Sequence, residues 1–409
     1  MVGRMGGRKL VEDRRGPEDL HGGEDLSGGE EVPVPVPHLV DERSGRTYEL
    51  DARRWRGDDG APLSVSPLPG LTPADIDSGT RSLWRYRAAL PSAVGRPVTL
   101  GEGSTPLLDK EWDGARVGFK AEWFNPTGSF KDRGSSVMIS ALAAAGVCEV
   151  IEDSSGNGGS SVAAYCAAAG IGASILVPEG TSPAKVLQTR AFGATIEPVP
   201  GGRDATAAEA LRRSDRTCYA GHNWNPFFLQ GTKTLAYELW EDLGFAAPDT
   251  VVTVAGAGSL VLGLDLGFSE LLTTGQISRR PRLLVAQPAA CAPIHAAFHG
   301  APAPSFGPTI AEGTAIRTPV RLPEVVAAVR RSGGDMAAIP EAAIVGAVRR
   351  LAGTGLYVEP TSATAVAAID VFRERGVIRE GETMVVVLTG SGLKAATAMG
   401  NVFTEGTVA

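Results

Sequence analysis

The stretch Asn-Pro-Thr-Gly-Ser-Phe-Lys-Asp-Arg at 125–133 sets one lysine, Lys131, between a turn and a helix, and the rest of the chain is read outward from it. Asn125, Pro126 and Gly128 are turn formers, each for its own steric reason. Beyond Gly134, Val137, Ile139, Leu142 and Ala145 recur at helical spacing, with Ser129 or Asp132 placed to cap that helix. A lysine at such a turn sits where side chains reach into a cleft, and the positive helix end disfavours its protonation. A neutral amine there forms a Schiff base with an aldehyde cofactor. The competing reading is a solvated surface lysine, and this stretch alone does not choose between the two.

Around it, strand and helix patterns alternate. Residues 117–122 alternate as a strand and deliver the chain to Asn125. Strands follow at 149–153 and 173–177, and helices at 160–169 and 183–192. The second half adds strands at 250–255, 282–286 and 383–388, with helices at 323–331, 340–352 and 362–374. This β-α-β order argues for an α/β chain of parallel sheets covered by helices. It has no internal repeat.

Several strand ends carry loops suited to chemistry. Ser-Ser-Gly-Asn-Gly-Gly at 154–159 offers hydroxyls and free N–H groups at a helix start, an anion site suited to an α-carboxylate; an ordinary strand–helix turn reads the same way. Gly-Ala-Gly-Ser-Leu at 256–260 also joins a strand to a helix and is able to cradle a phosphate. As half of a dinucleotide fingerprint it lacks the third glycine, because Val261 stands there. Leu-Thr-Gly-Ser-Gly-Leu-Lys at 388–394 closes a strand.

Together, 125–133, 154–157 and 388–394 resemble threonine synthases and their paralogues, and the likeness runs from about Leu83 to about Ala396 with the motifs in family order. The resemblance implies fold type II: two parallel-sheet domains with pyridoxal phosphate in the cleft between them, as in tryptophan synthase β and threonine dehydratase. By it, Lys131 and Phe130 meet the cofactor, Asn157 its phenolic oxygen, Gly256, Ala257, Gly258, Ser259 and Leu260 its phosphate, and Thr389 its pyridine nitrogen. A neutral hydroxyl at that nitrogen favours elimination and replacement over transamination. Ser154, Ser155, Gly156 and Gly158, with Thr105, Asn223 and Phe228, fall to the substrate.

The chain departs from the family at three places. Gly158 stands where Thr or Ala is frequent, Ala257 replaces an Asn, and Phe228 stands where many place an Arg for the substrate's phosphate. Phe cannot pair with a dianion. Nearby, His222 reads either as an acid–base group or as a satisfied structural histidine; Lys233, like Arg317, reads as a donor reaching that phosphate from another direction, or Lys233 only as a cap or solvated side chain. Glu359 reads as a carboxylate behind the site or simply as a cap partner ahead of a helix. The segment Thr-Ile-Ala-Glu-Gly-Thr at 309–314 is similar to one in amino-acid dehydratases.

The implied activity is elimination or replacement of a β- or γ-substituent on an amino acid. The alternatives are a dehydratase, a β-replacement synthase of a specialised pathway, or a non-catalytic ligand binder. The expected division is a disordered tail at 1–37, an accessory segment at 38–100 anchored by Tyr48 and Trp55, a large domain at 101–133 and 231–409, and a small mobile one at 134–230.

Composition bounds the rest. A chain of 409 residues with 43% hydrophobic content buries a large core. Its net charge of −7 and lack of a basic stripe argue against nucleic acid. Cys148, Cys166, Cys218 and Cys291 show no metal or disulfide spacing, so no metal site and a cytoplasmic setting are expected. No apolar run has membrane-spanning length, and a homodimer is expected.

Overall fold

In the order of the chain, a short antiparallel sheet comes first, from β1 (Leu39–Val40), β2 (Thr47–Tyr48) and β3 (Ser64–Val65). Trp55 anchors this segment edge-on against Tyr219 and Trp224, at 5.0 and 5.2 Å between ring centroids. The computed structural model describes residues 36–302 and 305–404, so the expected tail lies outside them except for Val36 and Pro37.

The hairpin β4 (Leu107–Trp112) and β5 (Ala115–Ala121) leads to α1 (Lys131–Ala144). Then come β6 (Glu149–Glu152), α2 (Asn157–Ala169), β7 (Gly172–Pro178), α3 (Leu187–Ala191), β8 (Thr195–Val199), α4 (Arg203–Arg213) and β9 (Cys218–Tyr219). Two packed helices, α5 (Pro226–Thr232) and α6 (Thr234–Asp242), precede β10 (Thr250–Val254), α7 (Ser259–Thr273) and β11 (Arg282–Pro288). The chain finishes with α8 (Pro293–Phe298), α9 (Leu322–Arg331), β12 (Asp335–Ile339), α10 (Glu341–Gly353), α11 (Pro360–Glu374), β13 (Met384–Leu388) and α12 (Ala396–Thr404).

Strands β6 to β9 form a four-stranded parallel sheet in the order β8-β7-β6-β9. The other sheet has six strands, β12-β11-β10-β13-β5-β4, parallel except where the edge strand β4 runs antiparallel to β5. Its central strands, Thr-Val-Val-Thr-Val in β10 and Met-Val-Val-Val-Leu in β13, are buried throughout. Such unbroken apolar runs are what a parallel sheet covered on both faces requires. Pairing of Leu388 with Ala121 brings the carboxyl ends of β13 and β5 level. The loops after β5, β6, β10 and β13 carry the four motifs, and ligands in parallel α/β sheets bind beyond such strand ends.

Candidate active site

Lys131 is the first residue of α1, and the loop before it is stitched to the end of β13. Phe130 N–H donates to the Thr389 carbonyl at 3.0 Å and Ser391 N–H to the Gly128 carbonyl at 3.0 Å. Neither Ser129 nor Asp132 caps α1. The Asp132 carboxylate turns back instead, accepting from Thr127 N–H and Oγ1, both at 2.7 Å, and from Ser161 Oγ at 2.6 Å. It thus fixes the turn rather than the helix, and burial lifts its pKa to about 6.

Below α1 lies a charge network sealed from water. Arg133, fully buried, grips Glu122 with two bonds of 2.7 Å and Glu238 with one of 2.8 Å. Lys120 Nζ donates to Glu238 at 2.6 Å and to the Thr105 carbonyl at 2.7 Å. Burial alone would raise Glu238, yet Arg133 and Lys120 outweigh it and hold the carboxyl far below its ordinary range. Bidentate geometry and matched charges are what make such a network tolerable in a core.

Lys131 itself is half-buried, its Nζ 4.8 Å from the Phe130 ring centroid and 5.5 Å from that of Phe228. Removal from water pushes its pKa down to about 7, with Arg203 lowering it and Glu152 and Glu359 drawing it up. The neutral amine expected at this position is therefore accessible near neutral pH. Desolvation between two aromatic rings is the leading cause, ahead of any contribution from the helix end.

Asn157 opens α2, and its Nδ2 donates to both carboxylate oxygens of Glu359, at 3.2 and 3.1 Å. Glu359 precedes α11 without capping it, so its buried carboxyl, raised by that burial, belongs to the site. Thr389 Oγ1 lies 3.0 Å from Ser362 Oγ at the start of α11. Lys394, at the end of the same motif, reaches across to the Thr127 carbonyl (2.7 Å), Ser160 Oγ (2.9 Å) and Gln188 Oε1 (2.5 Å). These bonds draw the motifs at 125–133, 154–159 and 388–394 into one place.

Ser154, Ser155, Gly156 and Gly158 line the turn from β6 into α2. A Cβ on Gly158 would lie 2.5 Å from His222 Cε1, so the frequent Thr or Ala is excluded here by the imidazole. At the other loop, Gly258 precedes α7 with φ of 93°, and a Cβ there would come within 2.2 Å of Val325 Cγ2. A Cβ on Gly256 would lie 2.9 Å from the Gly313 carbonyl. Both glycines are sterically required, and they leave Ala257, Ser259 and Leu260 around a helix start that no side chain caps. The first N–H groups of a helix have no intrahelical acceptor and suit a phosphate.

Of the other expected residues, Thr105, Asn223 and Lys233 are engaged away from Lys131, whereas Phe228 lies beside it. The Thr105 hydroxyl donates to Glu122 at 2.6 Å within the charge network. Asn223 gives its carbonyl to Arg321 Nε at 3.2 Å, and its Oδ1 is buried without a protein partner among the described residues. Lys233 stands at the cap position between α5 and α6, but its side chain is fully buried on Glu270 at 2.9 Å and neither bonds the helix ends nor faces solvent. Phe228, fully buried, packs its ring on His222 at 5.6 Å and on α1, where a Cβ at Gly134 would meet it at 2.5 Å. The segment at 309–314 packs on α11 through Gly313 N–H to Thr361 Oγ1 at 3.2 Å.

The donor set fits pyridoxal phosphate: an amine of lowered pKa, an anion cradle closed by two obligatory glycines, and an amide and a hydroxyl converging from other strand ends. The Ser129 hydroxyl, two residues from Lys131, is buried and without a protein partner among the described residues, leaving one polar atom unclaimed.

Comparison with known proteins agrees. Residues 98–390 match the family described as pyridoxal-phosphate dependent enzyme. A threonine synthase of Methanocaldococcus jannaschii is 35% identical over 371 residues, covering 86% of this chain and 91% of that protein. One from a Synechocystis species is 34% identical over 342 residues, covering 80% and 87%. In fold, the chain is similar to maize serine racemase, with a TM-score of 0.62 at 24% identity over 74% of this chain and 92% of that one. It is also similar to a threonine deaminase of Solanum lycopersicum, with a TM-score of 0.63 at 22% identity over 74% and 84%. The chain belongs to the pyridoxal-phosphate-dependent enzymes of fold type II, as a threonine synthase-like lyase that eliminates or replaces a β- or γ-substituent of an amino acid.

Proposed function

We propose that this enzyme acts on an amino acid whose leaving group is uncharged or small, and uses O-phosphohomoserine poorly. Phe228 carries the reading. It is fully buried beside Lys131, at the position where the resemblance places an arginine for the substrate's phosphate. A buried dianion needs charge-assisted donors, each contributing roughly 1.5–3 kcal/mol. Lys233, the nearest cation in sequence, is held by Glu270.

When bound, pyridoxal phosphate supplies the electron sink that makes the α-proton removable. Lys131 holds the cofactor and, once free, takes that proton as general base; its lowered pKa matches the task. Ser154, Ser155, Gly156 and Gly158 receive the substrate carboxylate, Asn157 orients the ring, 256–260 hold the phosphate and Thr389 faces the pyridine nitrogen. Phe130 and Phe228 exclude water from the amine.

The region 134–230, which contains the four-stranded sheet, acts in this reading as the small domain that closes over substrate. A homodimer without nucleic-acid or membrane partners completes it. No helix among the described residues is long and apolar enough to cross a membrane, and all four cysteines are free thiols, which supports a cytoplasmic setting.

Steady-state kinetics on O-phosphohomoserine, O-phosphoserine, O-acetylserine, serine and threonine tests the reading. The expected result is a higher kcat/KM on an uncharged or acetylated substrate than on either phosphate ester. Efficient conversion of O-phosphohomoserine to threonine, well above the others, would overturn it.

A further inference from the structure

Beside the carboxylate loop lies a buried acid–imidazole pair that the roles assigned so far leave unused. His222 Nδ1 is 2.5 Å from Glu152 Oε1, and the His222 N–H donates to Glu152 Oε2 at 3.3 Å. Both residues are buried. The ring packs on Phe228, whose other neighbour is the Lys131 amine, and its edge fills the space that Gly158 leaves open in the carboxylate loop. Nε2 meets no protein partner among the described residues. A histidine satisfied for structural reasons alone would have both ring nitrogens engaged.

We propose that His222, held and recharged by Glu152, is the proton donor to the oxygen that leaves the substrate's β- or γ-carbon. The inference rests on the reading of Lys131 as the cofactor lysine, because that puts the substrate between the Lys131 amine and the loop at 154–158, whose Gly158 the His222 ring edge abuts. In the starting state the pair carries two mobile protons, one on Nε2 and one between Nδ1 and Oε1. The carbon–oxygen bond breaks and its electron pair goes to oxygen, which takes the Nε2 proton. The shared proton settles on Nδ1, leaving a neutral imidazole on a carboxylate. A proton from solvent restores the pair, so the step needs no other reactant. The side-chain charges around the ring come from three elements: Glu152 and Asp153 at the end of β6, Lys131 on α1 and Arg203 on α4. Asp153 is engaged by Tyr219 Oη at 2.6 Å. Burial raises Glu152 to about 8 and, with Lys131 and Arg203 adding to it, lowers His222, so the pair keeps both protons at neutral pH and sheds one as pH rises through about 8, the other settling on Nδ1.

A leaving group that needs a proton separates this role from a structural one. For His222→Gln in the holoenzyme, kcat on a hydroxyl-leaving substrate such as serine or threonine should fall roughly 10²–10⁴-fold. On O-acetylserine, whose acetate leaves unprotonated, the fall should stay within about tenfold. Because the comparison is a ratio within one variant, partial misfolding lowers both rates and leaves the test intact. Glu152→Gln, which keeps a partner for Nδ1 but cannot exchange its proton, should show the same ratio in milder form. Nitrogen NMR of histidine-labelled apoprotein gives a readout apart from turnover. The His222 signal, one of five histidines, should report a protonated Nε2 at pH 7 that deprotonates near pH 8. Equal losses on both substrates, or an unprotonated Nε2 at pH 7, would overturn the proposal. If the wild-type protein carried no lysine-linked cofactor, the reading of the site would fail first, and the two failures are thereby distinguished.

Discussion

Gly258→Ala tests the phosphate loop with an effect whose size follows from geometry. The new methyl would sit 2.2 Å from Val325 Cγ2 and 3.3 and 3.4 Å from Cβ and Cγ1 of the same side chain, on a backbone with φ of 93°. Left-handed backbone costs a non-glycine residue about 1–2 kcal/mol. Overpacking against a buried valine adds about 1–3 kcal/mol. The two effects together reach about 2–5 kcal/mol in the apoprotein. Val325→Ala alone deletes buried methyl groups and costs about 2 kcal/mol. In the double variant the overlap is gone, so destabilisation should fall short of the sum by about 1–3 kcal/mol. Urea unfolding of the four proteins measures this coupling, and pyridoxal-phosphate titration should show affinity reduced tenfold or more in Gly258→Ala and partly restored by Val325→Ala. Additivity within about 0.5 kcal/mol, with cofactor affinity unaltered, would refute the loop's role and its packing together.

Arg133→Met should destabilise the protein by about 3–5 kcal/mol in urea unfolding, because it strands the fully buried Glu122 and takes one of Glu238's partners. Lys131 should capture added pyridoxal phosphate with a pH dependence centred near 7. Its lowered pKa leaves the reactive neutral amine scarce below that pH and dominant above it, so a capture rate still climbing towards pH 10 would contradict the desolvated setting.

Much of the fold is legible in the sequence because the six-stranded sheet's central strands are unbroken apolar runs between glycine loops. Strands β4 and β12 are less so. β4 reads Leu-Leu-Asp-Lys-Glu-Trp at the sheet's edge, where one side needs no cover, and the pattern is diluted by charge. The four motif loops are readable as chemistry only in company, because glycine, serine and asparagine at any one strand end also make an ordinary turn. What stays hidden is pairing across long separations. Glu359 looks like a helix-entry residue until Asn157, 202 positions away, is seen to donate to it. Glu152 and His222, 70 positions apart, give no joint signal in the sequence, though Gly158 in place of a larger residue marks where the ring goes. Arg203 at the start of α4 was likewise silent, since its influence on Lys131 depends on how α4 is carried by its sheet.

Borohydride reduction followed by peptide mass spectrometry tests the central claim most directly. The purified protein should be yellow, be bleached by borohydride, and carry the reduced pyridoxyl group on the peptide containing Lys131, with Lys131→Ala losing both label and turnover while keeping its fold. Label on any other lysine, Lys394 being the nearest rival among the site's residues, would contradict the assignment on which every role given to the site depends.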